Sequence, residues 1–112
     1  MSDRADPSPC DVLYVDAKYD GTEAAIILVG EFDMTGTELF WGAVSEVLGT
    51  RPVTVTVEAR ELTFIDSSGL AAMARAREAA SEAGVAFGIR EPSPALRRIV
   101  EIFGLEGLLL DG

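Results

Sequence analysis

The sequence predicts an α/β fold built on a mixed, mostly parallel sheet, and three observations carry that prediction. A hairpin signal, Asp20-Gly21, separates two β-prone stretches near the start. After it, each strand-like run is followed by a run of helical period that closes at a glycine. The length, 112 residues, suits one hydrophobic core rather than two. Strands alternating with helices call for parallel pairing and right-handed crossovers. The predicted order is therefore β-β-α-β-α-β-α, a single domain with an N-terminal antiparallel hairpin and about three main helices.

Residues 1–10 are rich in Asp, Ser and Pro and read as a flexible tail, so the domain is expected over residues 11–112. Val12 to Tyr19 mixes apolar and polar residues as an edge strand does. Ala24 to Val29 is unbroken apolar sequence, the composition of a strand covered on both faces. Thr35 with Glu38 three residues on has the form of a capping box. Leu39, Phe40, Ala43, Val44, Val47 and Leu48 follow at helical spacing, with Gly49 as a left-handed stop. Val53, Val55 and Val57 alternate with threonines as a strand with unequal faces.

The segment Asp66 to Gly69 opens an alanine-rich helix that runs to about Ala83 and stops at Gly84. Val85, Phe87 and Ile89 share one face of the next strand. Ser93-Pro94 is a helix start, because serine caps and proline at the first position forfeits no needed N–H. Leu96, Ile99, Val100 and Phe103 form that helix's apolar stripe, which ends at Gly104, and Leu108 to Leu110 could add a minor final strand.

Composition excludes several functions. The formal net charge of −10 disfavours nucleic-acid phosphate as a partner and suits a basic surface on another protein. Cys10 is the only cysteine, which rules out an intramolecular disulfide and the multi-cysteine zinc patterns. There is no histidine, so no Ser-His-Asp or Cys-His arrangement can be assembled within the chain, and the commonest metal ligand is missing. Neither a phosphate-binding glycine loop ending in Gly-Lys nor a dinucleotide fingerprint follows a strand. The expectation is a non-enzymatic protein with no cofactor and no metal. Residues 1–9 lack the apolar core of a secretory signal, and no apolar run reaches membrane-spanning length. A cytoplasmic location and no membrane partner are expected.

The most informative stretch is Phe64-Ile65-Asp66-Ser67-Ser68-Gly69-Leu70, which ends a strand and opens a helix. It sets two hydroxyls and a carboxylate where free N–H groups and the positive end of the helix dipole converge. A serine there is a cap, a nucleophile or a site for phosphate. As a nucleophile Ser67 would need a lysine or carboxylate base, and the only lysine, Lys18, belongs to the distant first hairpin. Asp66 reads as a cap or as the group that orients the Ser67 hydroxyl. Ser68 reads as the structural member of the pair, and Gly69 and Leu70 as positions of close approach to the core or to a partner. Asp33 reads as a loop cap or a contact. Trp41 falls off the apolar stripe of its helix, which suits either an interface or packing on a neighbouring loop. Arg75 and Arg77, and likewise Arg97 and Arg98, are most simply a solvated helix face, with reception of an acidic partner as the alternative for either pair.

Three blocks then resemble a family. They are Gly30-Glu31-Phe32-Asp33, Leu62-Thr63-Phe64-Ile65-Asp66-Ser67-Ser68-Gly69-Leu70, and Ser93-Pro94-Ala95-Leu96-Arg97-Arg98-Ile99. Their order and spacing resemble a STAS domain, specifically a bacterial anti-sigma factor antagonist, from about Leu13 to Leu109. The resemblance implies a phosphoprotein that works by partner switching in transcription regulation. Unphosphorylated, it binds an anti-sigma factor that is also a serine kinase and so frees the sigma factor. Phosphorylation at Ser67 releases it, and a phosphoserine phosphatase resets it. The partner-binding residues implied are Asp33, Asp66, Ser67, Ser68, Gly69 and Leu70. The alternative is a STAS docking or scaffold subunit of a stress-signalling or lipid-transport complex, without a role in sigma release.

Overall fold

The computed structural model describes residues 13–109. The expected N-terminal tail, Cys10 and Leu110 lie outside those residues. The hairpin forms as its turn chemistry requires. Strand β1 (Leu13–Asp20) pairs antiparallel with β2 (Glu23–Phe32), and Gly21 at φ 64° supplies the left-handed turn residue. Strand β3 (Thr54–Ile65) and strand β4 (Ala86–Arg90) then add in parallel, giving the sheet order β1-β2-β3-β4 with β1 at one edge. The crossovers are helix α1 (Thr37–Gly49) and helix α2 (Ser67–Glu82), and helix α3 (Pro94–Ile102) follows β4.

One core joins helices and sheet. Ala24, Ile26 and Leu28 of β2, Val55 and Val57 of β3, and Phe87 and Ile89 of β4 are buried in it. From the helices it receives Phe40, Val44, Met73, Ala76, Leu96 and Val100. Small alanines on α2 let that helix lie close to the sheet. Ser93 caps α3 as its sequence predicts, accepting from the Leu96 N–H at 3.2 Å, with Pro94 in the first position. Gly84 and Gly104 take positive φ just past α2 and α3, also as expected.

Several local expectations are corrected. The first helix does not start on a Thr35–Glu38 capping box. Met34–Gly36 is a separate 3-10 turn capped by Asp33, and α1 begins at Thr37 with no side-chain cap. Gly49 remains helical, and the left-handed residue past α1 is Arg51 at φ 59°. Leu39 and Phe103 leave the apolar stripes of their helices and are about half exposed, at 53% and 51%. The final strand shrinks to a single parallel bridge between Leu109 and Ile89, preceded by a 3-10 turn over Glu106–Leu108. The run Ala24 to Val29 is not sealed on both faces by the described residues. Ala25, Ile27 and Val29, on the face opposite the core, are only half-buried.

Candidate functional site

Parallel pairing brings two separate loops to one place. Phe32 and Ile65 are register partners at the C-terminal ends of β2 and β3. Asp33 and Asp66 are the next residue in each chain segment, so the two carboxylates leave the same edge of the sheet side by side. That edge is where open parallel sheets present their loops for binding.

Both aspartates are caps with extended backbone. Asp66 precedes α2 and accepts from the Gly69 N–H at 3.1 Å, which establishes the capping role that its position predicts. Asp33 accepts from the Thr35 N–H at 3.0 Å and from the Thr35 hydroxyl at 2.6 Å. The Thr35 hydroxyl bond, helped by nearby backbone N–H groups, holds the Asp33 carboxyl below the ordinary carboxylate range, so it is ionised at neutral pH.

The loops are also bolted together. The Asp66 N–H donates to the Phe32 carbonyl at 3.2 Å. A Cβ on Gly69 would stand 2.8 Å from that same carbonyl oxygen and 2.9 Å from the Phe32 ring. Only glycine permits α2 to start this close to the end of β2. Leu70, almost fully buried at 1% exposure, then anchors the first turn in the core. Gly69 and Leu70 therefore serve the packing, and Leu70 also borders the groove beside Ser67.

Ser67 and Ser68 differ in consequence. Ser67 is the first residue of α2 and exposed, with its side chain on the open surface. Ser68 is half-buried, and the helix terminus is satisfied by Asp66 instead, which corrects the structural capping role expected of Ser68. Chemically, an anion on Ser67 would meet the positive end of the α2 dipole and first-turn N–H groups. It would also meet the charges of Asp66 and Asp33.

The surroundings are apolar in a way that the sequence reading missed. A groove beside Ser67 runs between α2 and the segment after α3, with Leu70, Ala71, Ala74, Phe103 and Leu105 along it and Arg75 and Glu78 on its rim. A second groove on the other side of α2 is walled by Trp41 and floored by Gly42 and Ala72, with Arg75 again at its border. Met34, next to Asp33, is 67% exposed, and Phe64, two residues before Asp66, is 45% exposed. Trp41 thus keeps the exposure that its helical position suggested. Met34, Phe64 and Phe103 could have been found as large apolar residues inside or beside turn signals. Arg75 is exposed, as expected of a solvated helix face, and borders both grooves.

Among the described residues, no cluster of His, Cys, Asp and Glu could hold a metal ion. No helix among them is long and apolar enough to cross a membrane.

Solved structures share this architecture. An anti-sigma factor antagonist from Mycobacterium paratuberculosis superposes with a TM-score of 0.78 at 21% identity, over 88% of this chain and 83% of that one. The unphosphorylated anti-sigma factor antagonist SpoIIAA gives 0.67 at 25% identity, over 88% and 85%. The Bacillus cell-fate determinant SpoIIAA in its phosphorylated form gives 0.67 at 20% identity, over 88% of each chain. A sulfate transporter family protein from Wolinella succinogenes gives 0.70 at 18% identity, over 82% and 75%. No curated protein sequence matches this one. The family model described as "Mlab, STAS domain" matches residues 15–111, nearly the whole described domain, and the chain belongs to that STAS-domain family.

Proposed function

We propose that this protein is an anti-sigma factor antagonist controlled by phosphorylation of Ser67. Unphosphorylated, it binds an anti-sigma factor with serine kinase activity and frees the sigma factor; phosphorylated, it is released, and a phosphoserine phosphatase restores it. The observation that carries this reading is the exposure of Ser67 at the start of α2, next to the capping Asp66 and beside an apolar groove. The antagonist SpoIIAA, similar in fold, is known in both phosphorylated and unphosphorylated forms.

Physics suits such a switch. Phosphorylation adds roughly −1.5 to −2 charge at neutral pH and several acceptor oxygens. The helix terminus accommodates that charge while Asp66 and Asp33 oppose it, so the fold survives with little change in stability. A docked partner is affected more. An unpaired dianion sealed under an apolar contact costs about 3–5 kcal/mol, enough to lower affinity at least about a hundredfold. Asp33, Asp66 and Ser67 contact the partner in this reading, while Ser68, Gly69 and Leu70 shape the turn. The protein itself is not an enzyme and acts in the cytoplasm; ATP is used by the kinase.

A second reading is a docking subunit without sigma release, as in stress-signalling or lipid-transport assemblies. Two observations favour it: the matching family model is of the Mlab type, and one solved neighbour is a sulfate transporter family protein. Intact-mass spectrometry after incubation with an extract of the native cells and ATP separates the two. A single phosphate on the wild type that is lost in Ser67→Ala supports the switch. No phosphate on either, with a stable complex still recovered from the extract, supports constitutive docking.

A further inference from the structure

The sheet has a second face, and the helices among the described residues leave it open. Right-handed crossovers between neighbouring parallel strands put α1 and α2 on one side. The groove across the opposite side is lined by strand residues only, from Lys18 and Asp20 of β1 through Ala25 and Thr56 to Arg90 of β4. Parallel sheets are ordinarily covered on both faces. Here Ala25, Ile27 and Val29 form a half-buried apolar stripe along β2, and none of them belongs to the core or packs against it. The same unbroken apolar run is the sequence signature of a strand sealed on both sides.

The charges beside that stripe select an occupant. The register sets Asp16, Ile27, Glu58 and Arg90 in one row, and Tyr14, Val29 and Glu61 in the next. Strand alternation adds Asp20, Glu23 and Glu31 to this face, so carboxylates outnumber its two cations, Lys18 and Arg90. The one ion pair among the described residues, Arg60–Glu91 at 2.7 Å, neutralises none of these carboxylates. A second copy of the chain, with its net charge of −10, would be repelled there.

We propose that this open face is a docking surface for a basic amphipathic helix of a partner protein. Its apolar ridge lies along Ala25, Ile27 and Val29. Its lysines or arginines meet Glu58 and Glu61 on one side and Asp16 on the other. The stripe from Ala25 to Glu31 is roughly 20 Å long, which a helix of about 14 residues spans. The surface is independent of Ser67 and of the function proposed above.

The test uses the full chain and two synthetic helical peptides with the same leucine ridge, one flanked by lysines and one by glutamates. Amide chemical-shift mapping is expected to show the lysine peptide moving the signals of Ile27, Val29 and Thr56, and the glutamate peptide moving none. Glu58→Lys with Glu61→Lys should weaken the lysine peptide by about tenfold or more. Glu82→Lys with Glu101→Lys, the same change of net charge on the helical side, should weaken it by less than about twofold. Equal weakening by the two double variants overturns the proposal, because the peptide would then sense only net charge. Shifts confined to α1, α2 and α3 overturn it as well. So does concentration-dependent dimerisation that broadens the Ile27 and Val29 signals, since the occupant would then be a second copy.

Discussion

Asp33-Met34-Thr35-Gly36 and Asp66-Ser67-Ser68-Gly69 share a four-residue pattern and stand side by side, yet they are built differently. In the second, the carboxylate takes the Gly69 N–H three residues on and the chain enters a sixteen-residue helix at once. In the first, the carboxylate takes the N–H and hydroxyl of Thr35 two residues on, and a 3-10 turn intervenes before α1. Their glycines differ as well. A Cβ on Gly36 would press on the Leu13 side chain at 3.0 Å, which can yield, whereas one on Gly69 would strike the Phe32 backbone carbonyl. The Asp66 loop is therefore fixed by packing, while the Asp33 loop is held largely by hydrogen bonds. The switch proposed for Ser67 therefore sits on the rigid loop, where a change of charge disturbs the fold least.

The sharpest way to break the comparison is Gly69→Ala. It should cost about 1–3 kcal/mol, because backbone rather than a side-chain tip must move, and it should displace Ser67. Chemical denaturation measures the loss, and an unchanged midpoint would mean that the two loops are equally adaptable. Next comes Asp66→Ala, which removes the α2 cap and should cost about 1 kcal/mol, more than the exposed Asp33→Ala costs in the same denaturation experiment.

A smaller effect appears in the acid limb of stability. Asp33 titrates below the ordinary carboxylate range in the folded state, chiefly through the Thr35 hydroxyl. A depressed folded pKa contributes stability above the unfolded pKa and loses it as pH falls through the folded one. Thr35→Val should therefore raise the Asp33 pKa in a carboxyl-carbon NMR titration and flatten that acid limb by lowering stability at neutral pH, with no change from this source below the folded pKa. The smallest effect expected is Ser68→Ala, within about 0.5 kcal/mol by thermal unfolding, because the helix end is already capped by Asp66.

The fold was largely legible because its signals are local and consistent: Asp20-Gly21 for the hairpin, Ser93-Pro94 for α3, and valine alternation for β3. The reading of Thr35 as a cap failed for a tertiary reason. Pairing of Phe32 with Ile65 ends β2 at Phe32, so Asp33, not Thr35, is the first side chain able to cap. Arg51 rather than Gly49 takes the left-handed conformation, because the helical backbone continues through Gly49 and Thr50, two residues further than the glycine suggests. At the site, Asp66 and the exposure of Ser67 follow from the strand-to-helix switch. The apolar surroundings did not, because Met34 and Phe103 look like core residues until the packing shows which faces are already filled. The open sheet face was hidden in the same way, since apolar sequence records that a strand will be covered but not by which chain.

The most direct test of the account is the affinity of the purified protein for the anti-sigma kinase proposed as its partner, measured by calorimetry on the unphosphorylated and the Ser67-phosphorylated forms. The account predicts a loss of at least about a hundredfold on phosphorylation, with thermal unfolding of the protein alone nearly unchanged. Equal affinities would contradict it, because the charge at the start of α2 would then not control docking.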